Sequence, residues 1–191
     1  HVACDAGSKE QQLTGSAEFA QWYRDVPGDS PSSNKTILNY PIPLTETPPG
    51  SGVFQFNPPS FFPIDDGKVA PGATWGNQPI YSDNSKPHNF GFTTEMNFNF
   101  VYRSGEVFTF YGDDDLWVFI EKHLALDIGG VHPKVQKTLR LSVFAAEHPL
   151  IALTEGGTYR MDLFGAERHT VESNFTVNTT IECIKSIPPI H

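Results

Sequence analysis

The sequence predicts an all-β protein built as a two-sheet antiparallel β-sandwich, and three observations predict it. Apolar and polar residues alternate in short segments from about residue 89 onward, which is the period of half-buried strands. Sixteen Gly and sixteen Pro interrupt the chain and disfavour long helices. Aromatic residues reach 13%, whereas charged residues are only 18%. About seven strands at short spacing, with almost no helix between them, favour a sandwich.

A chain of 191 residues fits one domain and can bury a sizeable core. We therefore expect a single domain over residues 1–191, with residues 186–191 as the start of a linker. The segment Ser16–Arg24 is the one good helix candidate, because its aromatic residues recur at helical spacing. A long irregular excursion follows over residues 29–86, with short strands expected near Thr36–Tyr40 and Gly52–Phe56.

The strands of the sandwich are predicted from residue 92 onward. Phe92–Arg103 and Glu106–Tyr111 flank a short turn and are expected to form a hairpin. Leu116–Ile120 is apolar on both faces, as a central strand should be. The remaining expected strands are Leu124–Ile128, Leu139–Val143, Tyr159–Phe164 and Phe175–Glu182.

Composition also limits the classes of partner. The net charge of −9 disfavours nucleic acid and anionic membrane surfaces. The longest apolar stretch, Leu139–Leu153, is interrupted by Glu147 and His148 and is too short for a membrane span, so no membrane insertion is expected. The sequence contains no zinc-protease HExxH motif, no GxSxG nucleophile elbow and no phosphate-binding loop, so we expect no enzyme.

The cysteines and the glycosylation motifs indicate an extracellular location. Cys4 and Cys183 lie near the two ends of the chain and could form a disulfide, worth about 5 kcal/mol in the chain-entropy model. The alternative is two unpaired buried thiols. Three Asn-X-Thr motifs supply candidate glycosylation sites at Asn34, Asn174 and Asn178.

Three consecutive carboxylates, Asp113–Asp115, stand at a turn that leads into an apolar strand. Repulsion between them must be offset, and a bound cation does this. Hard cations such as Ca²⁺ take oxygen ligands, which an Asp-rich turn supplies. The alternative is a solvated acidic turn that binds no metal.

The segments around this triplet resemble a known family. Gly112–Asp115, Trp117–Ile120 and Leu126–His132 closely resemble the fibro-slime subgroup of PA14-like domains. Further blocks follow in family order, so that the resemblance covers residues 15–182: Trp22–Val26, Phe61–Asp65, Asn89–Thr93, Ala166–Thr170 and Ser173–Phe175. The resemblance implies two packed antiparallel sheets. Members of the family include adhesins, cell-wall-associated proteins and secreted signalling factors.

The resemblance also implies a calcium site. Calcium-binding PA14-like lectins use two adjacent Asp residues joined by a cis peptide bond, and the family pattern puts this pair at Asp113 and Asp114. A later loop supplies further ligands and leaves an open side for sugar hydroxyls. In this chain that loop is 168–174, where Asn174 and Glu172 are the candidate ligands. A glycan on Asn174 would block that role, which makes Asn178 the better glycosylation site.

Four further residues are candidates for contact with a bound ligand: Asp115, His132, Arg168 and His169. Each has a simpler interpretation. Asp115 stands where many PA14 domains carry Gly, and His132 follows a Gly-Gly pair where a packing role is common. Arg168 is expected to pair with a nearby carboxylate, and Asp127 to be a hydrogen-bonded structural carboxylate.

These expectations lead to two functional hypotheses. The first is a secreted or cell-surface, calcium-dependent carbohydrate-binding module of the adhesin type, whose partner is an extracellular glycan. The second is a protein-recognition or signalling ectodomain that binds a protein receptor and uses calcium only for structure. The distinguishing feature is whether the excursion over residues 29–86 leaves the Asp113–Asp114 turn open.

Overall fold

The computed structural model of the chain describes residues 19–20, 22–24, 40–64, 81–83, 86–88, 91–130, 132–168 and 173–186. The chain divides into two compact units, His1–Lys35 and Thr36–His191. In the first unit, Trp22 N–H donates to the Phe19 carbonyl at 3.2 Å, and the two rings lie 5.0 Å apart. Of the expected helix Ser16–Arg24 the structure describes residues 19–20 and 22–24, and of the strand expected near Thr36–Tyr40 it describes only Tyr40.

The second unit is an all-β sandwich with one short α-helix in its described part, and the predicted fold class is confirmed. Its strands are β1 (Thr45–Glu46), β2 (Phe54–Phe56), β3 (Tyr81–Asp83), β4 (Lys86–His88), β5 (Phe92–Val101), β6 (Val107–Gly112), β7 (Asp115–Ile120), β8 (His123–Ile128), β9 (Val135–Arg140), β10 (Thr158–Glu167), β11 (Phe175–Thr179) and β12 (Ile184–Ser186). Helix α1 spans Leu141–Glu147, and a 3₁₀ turn follows at Pro149–Ile151.

Two antiparallel five-stranded sheets form the sandwich. The first sheet has the order β1-β2-β11-β6-β9, and the second has the order β12-β5-β10-β7-β8. Strands β3 and β4 pair separately as a two-stranded ribbon. In the part of the chain that the structure describes, we find no helix with the length and hydrophobicity that a membrane crossing requires.

The core lies between the inner faces of the two sheets. Phe110 of the first sheet and Phe100, Val118 and Met161 of the second are fully buried. Each such side chain contributes roughly 1.5–3 kcal/mol through burial of apolar surface. The alternation seen in the sequence thus reports which residues point inward.

The expected hairpin of the fifth and sixth strands is wrong. β5 pairs with β10 and β12, whereas β6 pairs with β9 and β11, so the turn at Arg103–Glu106 joins two different sheets. Alternation reveals a buried face but not the partner strand. A hairpin does form two connections later, where Glu121 and Lys122 adopt positive φ angles between β7 and β8.

The expected strand Leu139–Val143 is only partly correct. Strand β9 ends at Arg140, and Leu141–Glu147 form α1. Within this helix Leu141 and Phe144, three residues apart, are both buried. Residues at this spacing share one face of a helix. In a segment this short, the apolar pattern fits both the helical period and the alternation of a strand.

Two connections between the sheets meet at the same edge of the sandwich. Residues 113–114 carry the chain from β6 to β7, and residues 168–174 carry it from β10 to β11. Phe175 of β11 lies opposite Gly112 of β6, and Ala166 of β10 lies opposite Asp115 of β7. Strand pairing in both sheets therefore brings the acidic turn beside the later loop.

Candidate metal centre

Asp113, the first carboxylate of the turn, is held by the residue that precedes β11. Its Oδ1 accepts the backbone N–H of Asn174 at 2.9 Å, and its Oδ2 accepts the side-chain Nδ2 of Asn174 at 2.9 Å. Its carbonyl oxygen accepts the backbone N–H of His132 at 3.2 Å. Asp113 is 8% exposed, so these hydrogen bonds satisfy a buried carboxylate and hold it in place. Asp113, one of the Asp pair expected from the resemblance, is thus in direct contact with Asn174, a candidate ligand of the later loop.

Arg168 binds the other two carboxylates of the triplet. Its backbone N–H donates to Asp114 Oδ2 at 2.5 Å, and its Nε donates to Asp115 Oδ2 at 2.6 Å. The expectation that Arg168 pairs with a carboxylate is confirmed. Asp115 Oδ1 also accepts the N–H of Gly130 at 2.6 Å. Both Asp115 oxygens therefore bind protein donors, which favours a structural role for this residue.

Glu167, which the sequence analysis left without a role, completes the acidic surroundings. It is the last residue of β10, is 7% exposed, and its Oε1 is buried without a hydrogen-bond partner. Burial, followed by the neighbouring Asp114 carboxylate, raises the pKa of Glu167 to about 10. We refer to Asp113, Asp114 and Glu167 as the acidic cluster. Glu167 reaches the acidic cluster because its neighbour Ala166 pairs with Asp115. The amino-acid sequence does not reveal this strand register.

The expected cis peptide bond between Asp113 and Asp114 is wrong. Among the described residues the cis bond is Thr47–Pro48, so the two Asp residues are joined in trans. A cis bond without proline costs about 3–4 kcal/mol. In this structure the hydrogen bonds from Asn174 and Arg168 hold the two carboxylates without it.

The acidic cluster lines a cavity that has an aromatic wall. Phe61, Phe92 and Phe175 form this wall, with the Phe61 ring 5.9 Å from that of Phe92 and 5.2 Å from that of Phe175. Phe61 belongs to the long excursion and is tied to the loop before β11. Its N–H donates to the Ser173 carbonyl at 2.9 Å, and its carbonyl accepts the Ser173 hydroxyl at 2.6 Å. The excursion therefore packs against one side of the cavity.

The donor chemistry of the cavity fits a hard divalent cation. Its charged groups are carboxylates, which suit Ca²⁺ far better than Zn²⁺ or copper. The unpartnered Glu167 Oε1 is a buried oxygen that a cation would satisfy. Within the described residues, however, no group of three or more His, Cys, Asp or Glu already converges as a metal shell. Because Asn174 and Arg168 now bind Asp113 and Asp114, an ion would have to displace some of these donors.

The remaining ligand candidates lie partly outside the described residues. Glu172 and His169 fall there, so their roles stay predictions. His132 contacts the turn through its backbone, while its Nδ1 lies 3.0 Å from the Pro133 carbonyl oxygen. Asp127 Oδ1 accepts the N–H of Gly129 at 2.8 Å, as expected for a structural carboxylate.

The cysteines and glycosylation motifs are only partly described. Cys183 is exposed and its thiol is free in this structure, whereas Cys4 and Asn34 lie outside the described residues. The disulfide therefore stays a prediction. Asn174 binds Asp113 through the nitrogen to which a glycan would be attached. This contact favours Asn178, half-buried on β11, as the modified residue.

Comparison with known proteins finds relatives in Dictyostelium discoideum. The chain is 36% identical to protein psiQ over 165 residues, which are 86% of this chain and 16% of that protein. It is 33% identical to protein psiR over 181 residues, 94% of this chain and 17% of that protein. For protein psiD the identity is 36% over 165 residues, 85% of this chain and 29% of that protein.

No family model matches the chain, and no solved structure matches it. The chain spans between 16% and 29% of the length of these three relatives. It is therefore similar to one segment of each of these longer proteins.

Proposed function

We propose that this chain is a calcium-dependent carbohydrate-binding module of an extracellular protein. One observation carries the proposal: Asp113, Asp114 and Glu167 line a single cavity where the chain passes twice between the sheets. Carboxylates gathered around a cavity repel one another, and a hard cation offsets that repulsion. The resemblance to PA14-like domains supports the same interpretation.

In this proposal Asp113 and Asp114 hold the ion. Asn174, which already contacts Asp113, supplies its amide oxygen, and Glu172 is a further candidate ligand. A bound Ca²⁺ offers free coordination positions to vicinal hydroxyl groups of a sugar. Arg168 and Asp115 position the turn through their ion pair rather than by contact with the ion.

The aromatic wall supports a sugar as the ligand. Phe92 and Phe175 are half-buried and lie beside carboxylates, so the cavity combines an apolar surface with oxygen ligands. Sugars present both an apolar face of C–H groups and a polar edge of hydroxyls. We expect a single-site affinity of about millimolar to micromolar, increased only by multivalency.

A second candidate is a protein-recognition ectodomain in which calcium is structural. The burial of the triplet favours it, because Asp113, Asp114 and Asp115 are 8%, 6% and 6% exposed. Phe61 and Ser173 also cover one side of the cavity through two hydrogen bonds. An ion enclosed in this way would join segments of the fold and leave ligand binding to another surface.

A glycan array probed with and without calcium tests the proposal. The protein is applied in Ca²⁺ and, in parallel, in EDTA, and Ca²⁺ binding is measured by calorimetry on the same preparation. Asp113→Ala is the test variant. Asp127→Ala is its matched control, because Asp127 is a hydrogen-bonded carboxylate on β8 that does not line the cavity.

Signals that require Ca²⁺ and disappear in Asp113→Ala, but persist in Asp127→Ala, would support carbohydrate binding. Calcium binding with a blank array would support the second candidate. Absence of calcium binding by the folded wild-type protein would contradict both.

A further inference from the structure

We infer that Glu167 supplies a third carboxylate ligand to the cation of the acidic cluster, an inference that rests on the proposed function. Glu167 lies within the block Ala166–Thr170 that resembles the family, but the resemblance gives it no ligand role, and the spacing of the Asp triplet does not point to it. The structure brings it to the cavity because it ends β10 beside the start of β7.

The first argument is that Glu167 has a free, buried oxygen. The side chain lines the cavity and is 7% exposed, and its Oε1 has no hydrogen-bond partner. A buried carboxylate oxygen without a hydrogen-bond partner costs free energy, and this one faces the cavity of the acidic cluster. A cation in the cavity would satisfy this oxygen directly.

The second argument concerns Ser173, whose hydroxyl interacts with the Glu167 carboxyl. Its Oγ donates to the Phe61 carbonyl oxygen at 2.6 Å, and a carbonyl oxygen can only accept a hydrogen bond. The single hydroxyl proton of Ser173 is therefore used in that bond and is not available to Glu167. The Oε1 of Glu167 therefore stays without a partner, and a cation in the cavity would satisfy it.

The third argument is the geometry of the two sheets. Asp113 follows a strand of the first sheet, whereas Glu167 ends a strand of the second. An ion bound by both would link the sheets where the two connections meet. Ligands from two sheets constrain an ion more than two adjacent residues of one turn do.

The test compares Glu167→Gln with wild type in calcium binding. Calorimetry gives the Ca²⁺ affinity, and the luminescence lifetime of bound Tb³⁺ in H₂O and D₂O gives the number of waters on the ion. We expect Glu167→Gln to bind Ca²⁺ at least about tenfold more weakly and to gain about one water on Tb³⁺. A merely structural role would leave the water count unchanged.

Glu106→Gln is the matched control. Glu106 is 6% exposed and also has a buried oxygen without a partner. It precedes β6, whereas Asp113 follows that strand, so the two lie about 20 Å apart at 3.3 Å per residue. Glu106→Gln is expected to bind Ca²⁺ with wild-type affinity.

Wild-type affinity and an unchanged water count in Glu167→Gln would overturn the inference. If Asp113→Ala still abolished binding, the proposed function would survive that result. Absence of Ca²⁺ binding by wild type would overturn both. If Glu167→Gln did not fold, Glu167→Asp would decide, since it keeps the charge but withdraws the carboxylate by one methylene. Weaker binding by that variant supports the inference, and wild-type binding refutes it.

Discussion

Two ion pairs of equal length differ in their surroundings, and this difference predicts their contributions to stability. Nε lies 2.6 Å from the carboxylate both in Arg168–Asp115 and in Arg160–Asp162. The first pair is 15% and 3% exposed, and the second is 34% and 11% exposed. Removing one member of a buried pair leaves an uncompensated charge, whereas water partly screens the Arg160–Asp162 pair because its arginine is a third exposed.

We therefore expect Arg168→Met to lower the free energy of unfolding by about 3–5 kcal/mol. Arg160→Met is expected to lower it by only about 0–1 kcal/mol. Urea denaturation followed by tryptophan fluorescence measures both values. Equal, small losses would show that the Arg168–Asp115 pair does not stabilise the turn.

Glu106 predicts a dependence of stability on pH. Burial raises the pKa of its carboxyl above the ordinary value of 4.5, so the folded state binds more protons than the unfolded state between these two values. Stability is thus lost as the pH rises from 4.5 through the raised folded pKa. Glu106→Gln removes this loss.

The measurement is urea denaturation of wild type and Glu106→Gln from pH 4 to pH 8. The stability of the variant relative to wild type should increase with pH and then level off above the folded pKa of Glu106. A difference that stays constant with pH would show that Glu106 has the same pKa in the folded and unfolded states.

At the level of single residues, the sequence revealed only the part of the site that is local. Asp113 and Asp114 are recognisable because three carboxylates stand together at a turn. Glu167 lies more than fifty residues later in the chain and reaches the cluster only through strand pairing. Glu167 lies in the block Ala166–Thr170 that resembles the family, but a Glu at the end of a strand is usually solvated, so nothing local predicts its burial.

At the level of elements, the alternation of apolar residues predicted most strands but not their partners. β5 and β6 are both amphipathic and aromatic, and a short turn joins them, which suits a hairpin. They instead face each other across the core, with the rings of Phe98 and Phe108 6.1 Å apart. The pattern specifies an inward face for each strand, and the competition between possible partners decides the sheet.

The position of each strand within its sheet predicts the effect of truncating its leucines. β10 lies between β5 and β7, and its Leu163 is 1% exposed. β8 is an edge strand of the same sheet, and its Leu124 is 46% exposed. Leu163→Ala should cost about 2–5 kcal/mol through lost burial and a residual cavity.

Leu124→Ala is the control and should change the free energy of unfolding by about 0.5 kcal/mol or less. Both values come from urea denaturation of the same preparation. A small loss for Leu163→Ala would mean that the core around β10 closes over the missing side chain.

At the scale of the whole molecule, the acidic cluster lies where the chain crosses from one sheet to the other. The β6–β7 and β10–β11 connections meet there, and the contacts of Asp113 and Arg168 join them. A cation bound at this edge would bind the folded chain but not the unfolded one. Its binding energy would then add directly to the stability of the sandwich.

We expect saturating calcium to stabilise the protein against heat. At a hundred times the dissociation constant the gain is about 2.7 kcal/mol. For a chain of this size that corresponds to a rise in Tm of about 5–10 °C. Differential scanning calorimetry in Ca²⁺ and in EDTA measures it, with Asp113→Ala expected to show no rise and Asp127→Ala a full one. Equal Tm values for wild type in both buffers would contradict an ion in the cluster.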